Sequence, residues 1–379
     1  RKCRYCSFTS FAGREADIPA YVSALKAEIT HSAGGESVGS IYFGGGTPSL
    51  LNAWKIGDVL AAARSCFSVY PAAEISIEAN PGTVDEVFLR GIRQLGVNRL
   101  SLGVQSLKDD ELKLLGRIHS AAQAKEAFYL ARQAGFDNIN LDFIYGLPGQ
   151  SLKDWRDTME KALALAPEHL SLYALSLEPG APLWQDIQES RVAAIDPDLA
   201  ADQYELAEDM LAAGGYHHYE ISNWARPGFE CRHNLVYWHN KPYLGVGAAA
   251  HSSRDGRRYA NTSSLDDYLA AFSRGILPEK ALDEAISPGL HVAETVILGL
   301  RLGSGVAAAA TFALGGVAKV ENDRARSDEC GPTSCSPEGS RRIDRATTFA
   351  NVATGLGIGT LVLLGTGLTL YLVGGSSAP

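Results

Sequence analysis

Residues 74–105, EISIEANPGTVDEVFLRGIRQLGVNRLSLGVQ, contain two short β-branched and apolar runs, EISIEA (74–79) and NRLSLGV (98–104). Between them lie a proline-glycine turn and a stretch with helical spacing over 83–95. Strand, turn, helix and strand in that order make a βαβ unit, whose hand and covering helix are nearly fixed by chain geometry. The cycle repeats in both directions. SIYF (40–43), NINLDFIYG (138–146) and HLSLYAL (169–175) read as further strands, and 50–68, 108–135 and 151–166 as further helices. Alternation of this kind predicts an α/β fold on a parallel sheet, with functional groups at the carboxyl ends of the strands. The residues found there are GGGTP (44–48), EANP (78–81), Gln105, Asp142 and YGLPGQ (145–150). Each alone can be a turn; five at one end of one sheet point to a site.

The composition suits this architecture. A chain of 379 residues with 46% hydrophobic and 20% charged residues can bury a large core. Its net charge of −9 argues against a nucleic-acid backbone as the main partner, since that partner selects for a basic face. Six cysteines (Cys3, Cys6, Cys66, Cys231, Cys330 and Cys335) are too few for a disulfide scaffold at this length and predict a reducing cytoplasm. Residue 1 is arginine, so the start is expected to be a truncation.

Cys3 and Cys6 form a C-x-x-C pair, which fits a redox dithiol, half of a zinc site or part of an iron-sulfur site. The glycine loop GGGTPS follows an apolar strand and precedes a helix, so backbone can come close to a ligand there. It is neither a dinucleotide fingerprint nor a P-loop. A small ligand carrying amino and carboxylate groups remains, with Glu78, Gln105, Arg117 and Asp142 as polar partners, or, for Glu78 and Asp142, a plain role as cap or turn acceptors.

Beyond residue 195 the repeat fades into a helix over 197–213, then YHHYEISNWA (216–225) and RHNLVYWHNKPYLGVGAAAHS (232–252). The last stretch is rich in aromatic and histidine residues, which suits a lid over a flat hydrophobic ligand or an aromatic core strand. After 306 a polar stretch over 307–348 precedes 349–373, 25 residues without a charge. That stretch is expected to be a C-terminal transmembrane helix, its amino-terminal end held in the cytoplasm by Arg341, Arg342 and Arg345.

The motifs CRYCSF, GGGTPS, EANP, NRLSLGVQS, LGRIH, LDFIYGLPGQ, LSLYALSLEPG, YEISNWA and HNLVYW stand in the order found in radical S-adenosylmethionine (SAM) proteins of the oxygen-independent coproporphyrinogen oxidase-like group. The chain resembles that group over 1–306, and within it the heme-chaperone branch. The resemblance implies a partial (β/α)6 radical-SAM barrel over 1–195, lacking its first strand, and an aromatic-rich α+β extension over 196–306. It implies a [4Fe-4S] cluster on a C-x3-C-x2-C signature, with Cys3 and Cys6 as its second and third cysteines and the first falling two residues before Arg1. Three thiolates would leave one iron open to S-adenosylmethionine. Gly45, Gly46 and Thr47 would meet the methionine end of that cofactor, Tyr5 the cluster, and Glu78, Gln105, Arg117 and Asp142 the ribose, carboxylate or sulfonium region. His233 would be an axial ligand to heme, with Asn234, Tyr237 and Trp238 around it. Phe8, two residues past Cys6, stands where the coproporphyrinogen dehydrogenases of the group carry a fourth cysteine. The expected partners are heme or porphyrin and heme-accepting proteins such as respiratory cytochromes, with membrane contact only through 349–373.

Overall fold

The computed structural model describes residues 2–302. After α1 (Ile18–His31) the chain runs through β1 (Ser37–Phe43), α2 (Ala53–Cys66), β2 (Ser68–Ala79), α3 (Glu86–Gln94), β3 (Arg99–Gln105), α4 (Asp109–Leu115), α5 (Ala121–Gln133), β4 (Ile139–Tyr145), α6 (Leu152–Leu165) and β5 (His169–Ala174). The five strands pair in parallel in sequence order, forming a curled half-barrel sheet. Then come α7 (Pro182–Gln188), α8 (Pro197–Ala213), β6 (His217–Glu220), β7 (Asn223–Ala225), α9 (Arg232–Trp238), β8 (His251–Arg254), β9 (Arg257–Asn261), α10 (Leu265–Ser273) and β10 (Lys280–Ala285). β7 lies antiparallel on β5, while β8, β9 and β10 make a separate antiparallel sheet.

Two compact units divide the chain. The larger takes 1–217, 222–237 and 241–286 and contains the half barrel. The smaller takes 218–221, 238–240 and everything from 287 on, of which 287–302 are described. Within the smaller unit, a helical stretch over 288–302 brings Arg301 to Glu220 at 2.7 Å, and its guanidinium lies 4.2 Å from the ring centroid of Trp238.

Strand residues alternate between two environments because the side-chain period of a strand is two. Leu100, Leu102, Val104, Ile139, Leu141, Phe143, Leu170 and Leu172 are buried against α2, α3, α5, α6 and α8 in one continuous core. Fully burying one such side chain contributes about 2 kcal/mol. The alternate positions, Glu74, Ser76, Arg99, Ser101, Asn140, His169 and Ser171, are also buried yet polar, and they fill the opposite, concave face. Helix starts are set by caps: Asn52, Asp85, Ser120 and Ser151 each accept a backbone N–H from the first turn of α2, α3, α5 and α6.

Two expectations are corrected. One helix was predicted over 108–135, but Gly116 adopts φ 71° and closes α4, and α5 starts afresh behind Ser120. The fold class also loses its transmembrane helix. Among the described residues no helix is long and apolar enough to cross a membrane. The longest named helix, α8, has 17 residues, about 26 Å at the helical rise, and carries five acidic side chains. The stretch 349–373 itself lies outside the described residues.

Candidate functional site at the mouth and in the lumen of the half barrel

The C-x-x-C turn is clamped before any ligand is considered. The Arg4 N–H donates to Leu115 O and the Arg4 carbonyl accepts from Leu183 N, both at 3.0 Å, while the guanidinium pairs with Asp186. Tyr5 packs beside Leu115, Ile144, Leu147, Leu175 and Leu183. Burial pushes its hydroxyl pKa up; Arg117 opposes that shift, and Cys3, Cys6 and Asp142 add to it. These five residues therefore share one electrostatic neighbourhood. Arg117 Nη1 lies 3.3 Å from Cys3 Sγ, and Nη2 donates to Gly103 O at 2.6 Å. A Cβ at Gly103 would come within 3.0 Å of Gln105 Nε2 and 3.3 Å of Arg117 Nη2, so both side-chain ends reach closely over that glycine. Gln105 ends β3 at φ 68°, a left-handed conformation that a functional site can maintain at some cost.

In the loop after β1, Gly45 adopts φ 106°, and the position of an added Cβ is empty space. That gap makes an open cradle. Tyr42 donates to Glu78 Oε1 at 2.7 Å. Burial pushes Glu78 up to about 7, against the opposing effect of that hydrogen bond. Thr47 Oγ1 turns back to the Gly46 carbonyl. Asp142 is deeper, its carboxylate accepting from Ser101 at 2.9 Å and Asn140 at 2.8 Å. Burial raises its pKa. Asn140 is the hub of this lumen, since its Oδ1 also meets His169 Nδ1 at 2.6 Å and Ser171 Oγ at 3.1 Å.

HNLVYW is the short helix α9, not a strand. Glu74 holds its start, accepting from the backbone N–H groups of Arg232 at 3.0 Å and His233 at 3.1 Å. His233 Nδ1 is 2.9 Å from Ser40 Oγ and Nε2 is 2.9 Å from Tyr237 Oη. Its ring stacks on Tyr42, with centroids 5.0 Å apart and planes 16° from parallel. Burial holds the imidazole neutral, with a pKa of about 4. The Asn234 backbone amide meets Cys231, and burial pushes that buried thiol up to about 11, the state of an inert cysteine. Trp238 belongs to the smaller unit and lies under Arg301.

The fold thus gathers Cys3, Tyr5, Cys6, Gln105 and Arg117 in one cluster and Gly45, Glu78, His233 and Tyr237 around Tyr42 in another, with the Asp142 carboxylate acting on both Tyr5 and Glu78. Sequence reading missed Ser40, Tyr42, Glu74 and Arg99. The signal was there in EISIEA, where Glu74, Ser76 and Glu78 alternate with Ile75 and Ile77. Among the described residues no three His, Cys, Asp or Glu side chains converge as a metal site, so the C-x-x-C turn offers two thiols of the three that a cluster signature needs.

A half barrel carrying both a C-x-x-C turn and a glycine loop after its first strand fits the radical SAM class, and the family model of the radical SAM superfamily matches residues 1–162. In fold, the chain is similar to the radical SAM enzyme coproporphyrinogen III oxidase (HemN) of Escherichia coli, with a TM-score of 0.71 at 22% identity over 92% of this chain and 87% of that one. Among curated proteins it is 38% identical to the heme chaperone HemW of Synechocystis over 81% of this chain and 76% of the relative. It is 39% identical to HemW of Escherichia coli K12 over 70% and 71% respectively. The chain belongs to the HemW family of radical SAM proteins.

Proposed function

We propose that this chain is a heme chaperone that binds heme through His233 and passes it to acceptor proteins in the cytoplasm, respiratory cytochromes being the expected class. The observation that supports this best is the state of His233. It is a neutral imidazole presented on a short aromatic helix, oriented through one ring nitrogen and bonded at the other only to a phenol. A neutral imidazole is what heme iron takes as an axial ligand.

Cys3 and Cys6 would hold two irons of a [4Fe-4S] cluster. Gly45, Gly46, Thr47, Glu78, Gln105, Arg117 and Asp142 would hold S-adenosylmethionine. The open Gly45 cradle and the convergence of Gln105 and Arg117 fit a ligand with both amino and carboxylate ends. When bound, that pair supplies reductive cleavage of a sulfonium. Around it, Arg117 places a fixed cation beside the Cys3 sulfur, and the leucine-rich pocket of Tyr5 anchors the cysteine turn. Asn234, Tyr237 and Trp238 would line the heme.

Titration of the protein with hemin, followed at the Soret band, tests the reading. Saturable binding with a ligation spectrum that changes in His233→Ala is the expected result. An identical spectrum in that variant removes His233 from the site. The alternative within the superfamily, oxidative decarboxylation of coproporphyrinogen III, lacks support here because Phe8 occupies the position of the fourth cysteine. Anaerobic formation of protoporphyrinogen by protein carrying the upstream cysteine would favour that alternative.

A further inference from the structure

His233 has only one ring proton to share between two hydrogen-bond partners. Nδ1 is 2.9 Å from Ser40 Oγ and Nε2 is 2.9 Å from Tyr237 Oη. An imidazole able to take iron is unprotonated at one nitrogen, so in that form one nitrogen donates and the other accepts. A phenol donates more readily than it accepts because its lone pair is delocalised into the ring, whereas a serine hydroxyl does both. The consistent assignment is Nδ1–H to Ser40 Oγ, with the Tyr237 O–H donated to the Nε2 lone pair. Ser40 and Tyr42 lie two residues apart on β1 and therefore share a face, so one strand supplies both the Nδ1 partner and the surface on which the ring stacks. β1 also leads directly into the glycine loop at the mouth.

We propose that Ser40 is a positioning residue that fixes His233 as its Nδ1–H tautomer, and that the Tyr237 hydroxyl is a displaceable cap occupying the place at Nε2 that heme iron takes. The inference rests on the heme reading above and assigns to Ser40 the outer-shell role that orients most metal-binding histidines. It reverses the expected sign for Tyr237: its hydroxyl competes with iron for Nε2.

Two measurements test it. Long-range 1H–15N correlation spectra of the heme-free protein, labelled at histidine, report the tautomer directly. His233 is expected as Nδ1–H in the native protein, as a mixture in Ser40→Ala, and as Nδ1–H again in Ser40→Thr, which restores a hydroxyl. Hemin titration is then expected to show affinity falling about ten-fold in Ser40→Ala, as for loss of an outer-shell partner, and rising about five-fold in Tyr237→Phe, where no hydrogen bond has to be displaced. A native Nε2–H tautomer, a tautomer unmoved by Ser40→Ala, or weaker hemin binding in Tyr237→Phe would overturn the proposal. Hemin that binds with no dependence on His233 would overturn the heme reading instead, and with it the iron-competition role of Tyr237, while the tautomer spectra would still decide the role of Ser40.

Discussion

The two faces of the same strands follow different rules. Toward the helices, Leu100, Leu102, Leu141, Phe143 and Leu170 are packed in a dry hydrocarbon layer; one residue away in sequence, Arg99, Ser101, Asn140, Asp142 and His169 fill a lumen held together by hydrogen bonds. The first face could belong to any α/β protein. The second is costly to bury, since buried polar groups need partners, and a hydrogen-bonded network of this kind gives rigidity to whatever stands on it. The mouth residues stand on it: Glu78 is two residues past Ser76, and Asp142 lies within the network itself. Fold stability and site geometry are thus assigned to opposite faces of one sheet.

Adjacent residues of β4 give the sharpest way to break this distinction. Leu141→Asn places an unpartnered amide among hydrocarbon and removes packing, and is expected to cost about 4 kcal/mol in urea unfolding. Asn140→Ala removes the hub of the lumen and strips partners from Asp142, His169 and Ser171, at an expected cost of about 2 to 3 kcal/mol. Near-equal tolerance of both substitutions, below about 1 kcal/mol, would show that the two faces are not distinct.

The two titratable groups that meet Tyr42 respond to acidity with opposite signs. His233 is held down from 6.5 to about 4, so its contribution is present above the unfolded value and lost as pH falls from 6.5 toward 4. Glu78 is pushed up from 4.5 to about 7, so its contribution is present below 4.5 and lost as pH rises through 7. Because the two oppose each other in the intact protein, the informative measurement is a difference. Between pH 7 and pH 5 the protein is expected to lose about 1.5 kcal/mol more stability than His233→Gln does, after allowing for the half-buried position of the ring. A difference of zero or of opposite sign would mean that His233 is solvated in solution.

Much of the larger face was legible in the sequence. Each of the five strand-like runs overlaps one of β1 to β5, three of them overshooting a strand end by one residue, and the helical candidates at 50–68, 83–95 and 151–166 contain α2, α3 and α6, because a βαβ repeat announces itself through spacing and turn residues. The lumen was not read, although Glu74, Ser76 and Glu78 alternate plainly with Ile75 and Ile77. A strand buried on both faces does not look amphipathic in the usual sense, and nothing local tells a lumen from a solvated face. The pairing of His233 with Ser40 spans 193 residues and depends on where α9 docks, which no local pattern encodes. The break at Gly116 was hidden because α4 and α5 are both genuine helices and one left-handed glycine ends the first.

Tyr42→Phe has the smallest expected effect on stability and addresses the border between the two regions. The ring is kept, so its stacking with His233 should persist; only the hydroxyl that donates to Glu78 is lost. One half-buried hydrogen bond is worth about 1 kcal/mol, and the fold should lose no more than that. The consequence at the mouth is larger in kind than in energy, because that hydrogen bond is the foremost influence keeping the Glu78 pKa down against burial. Without it the titration midpoint of Glu78, read from the 13C shift of its side-chain carboxyl, should rise above about 7, leaving the group mostly neutral at neutral pH and a weaker acceptor from a cationic ligand. If the midpoint stays where it is, Tyr42 joins the lumen to the mouth by packing alone, and the division of the sheet into a stability face and a site face holds without an electrostatic link between His233 and Glu78.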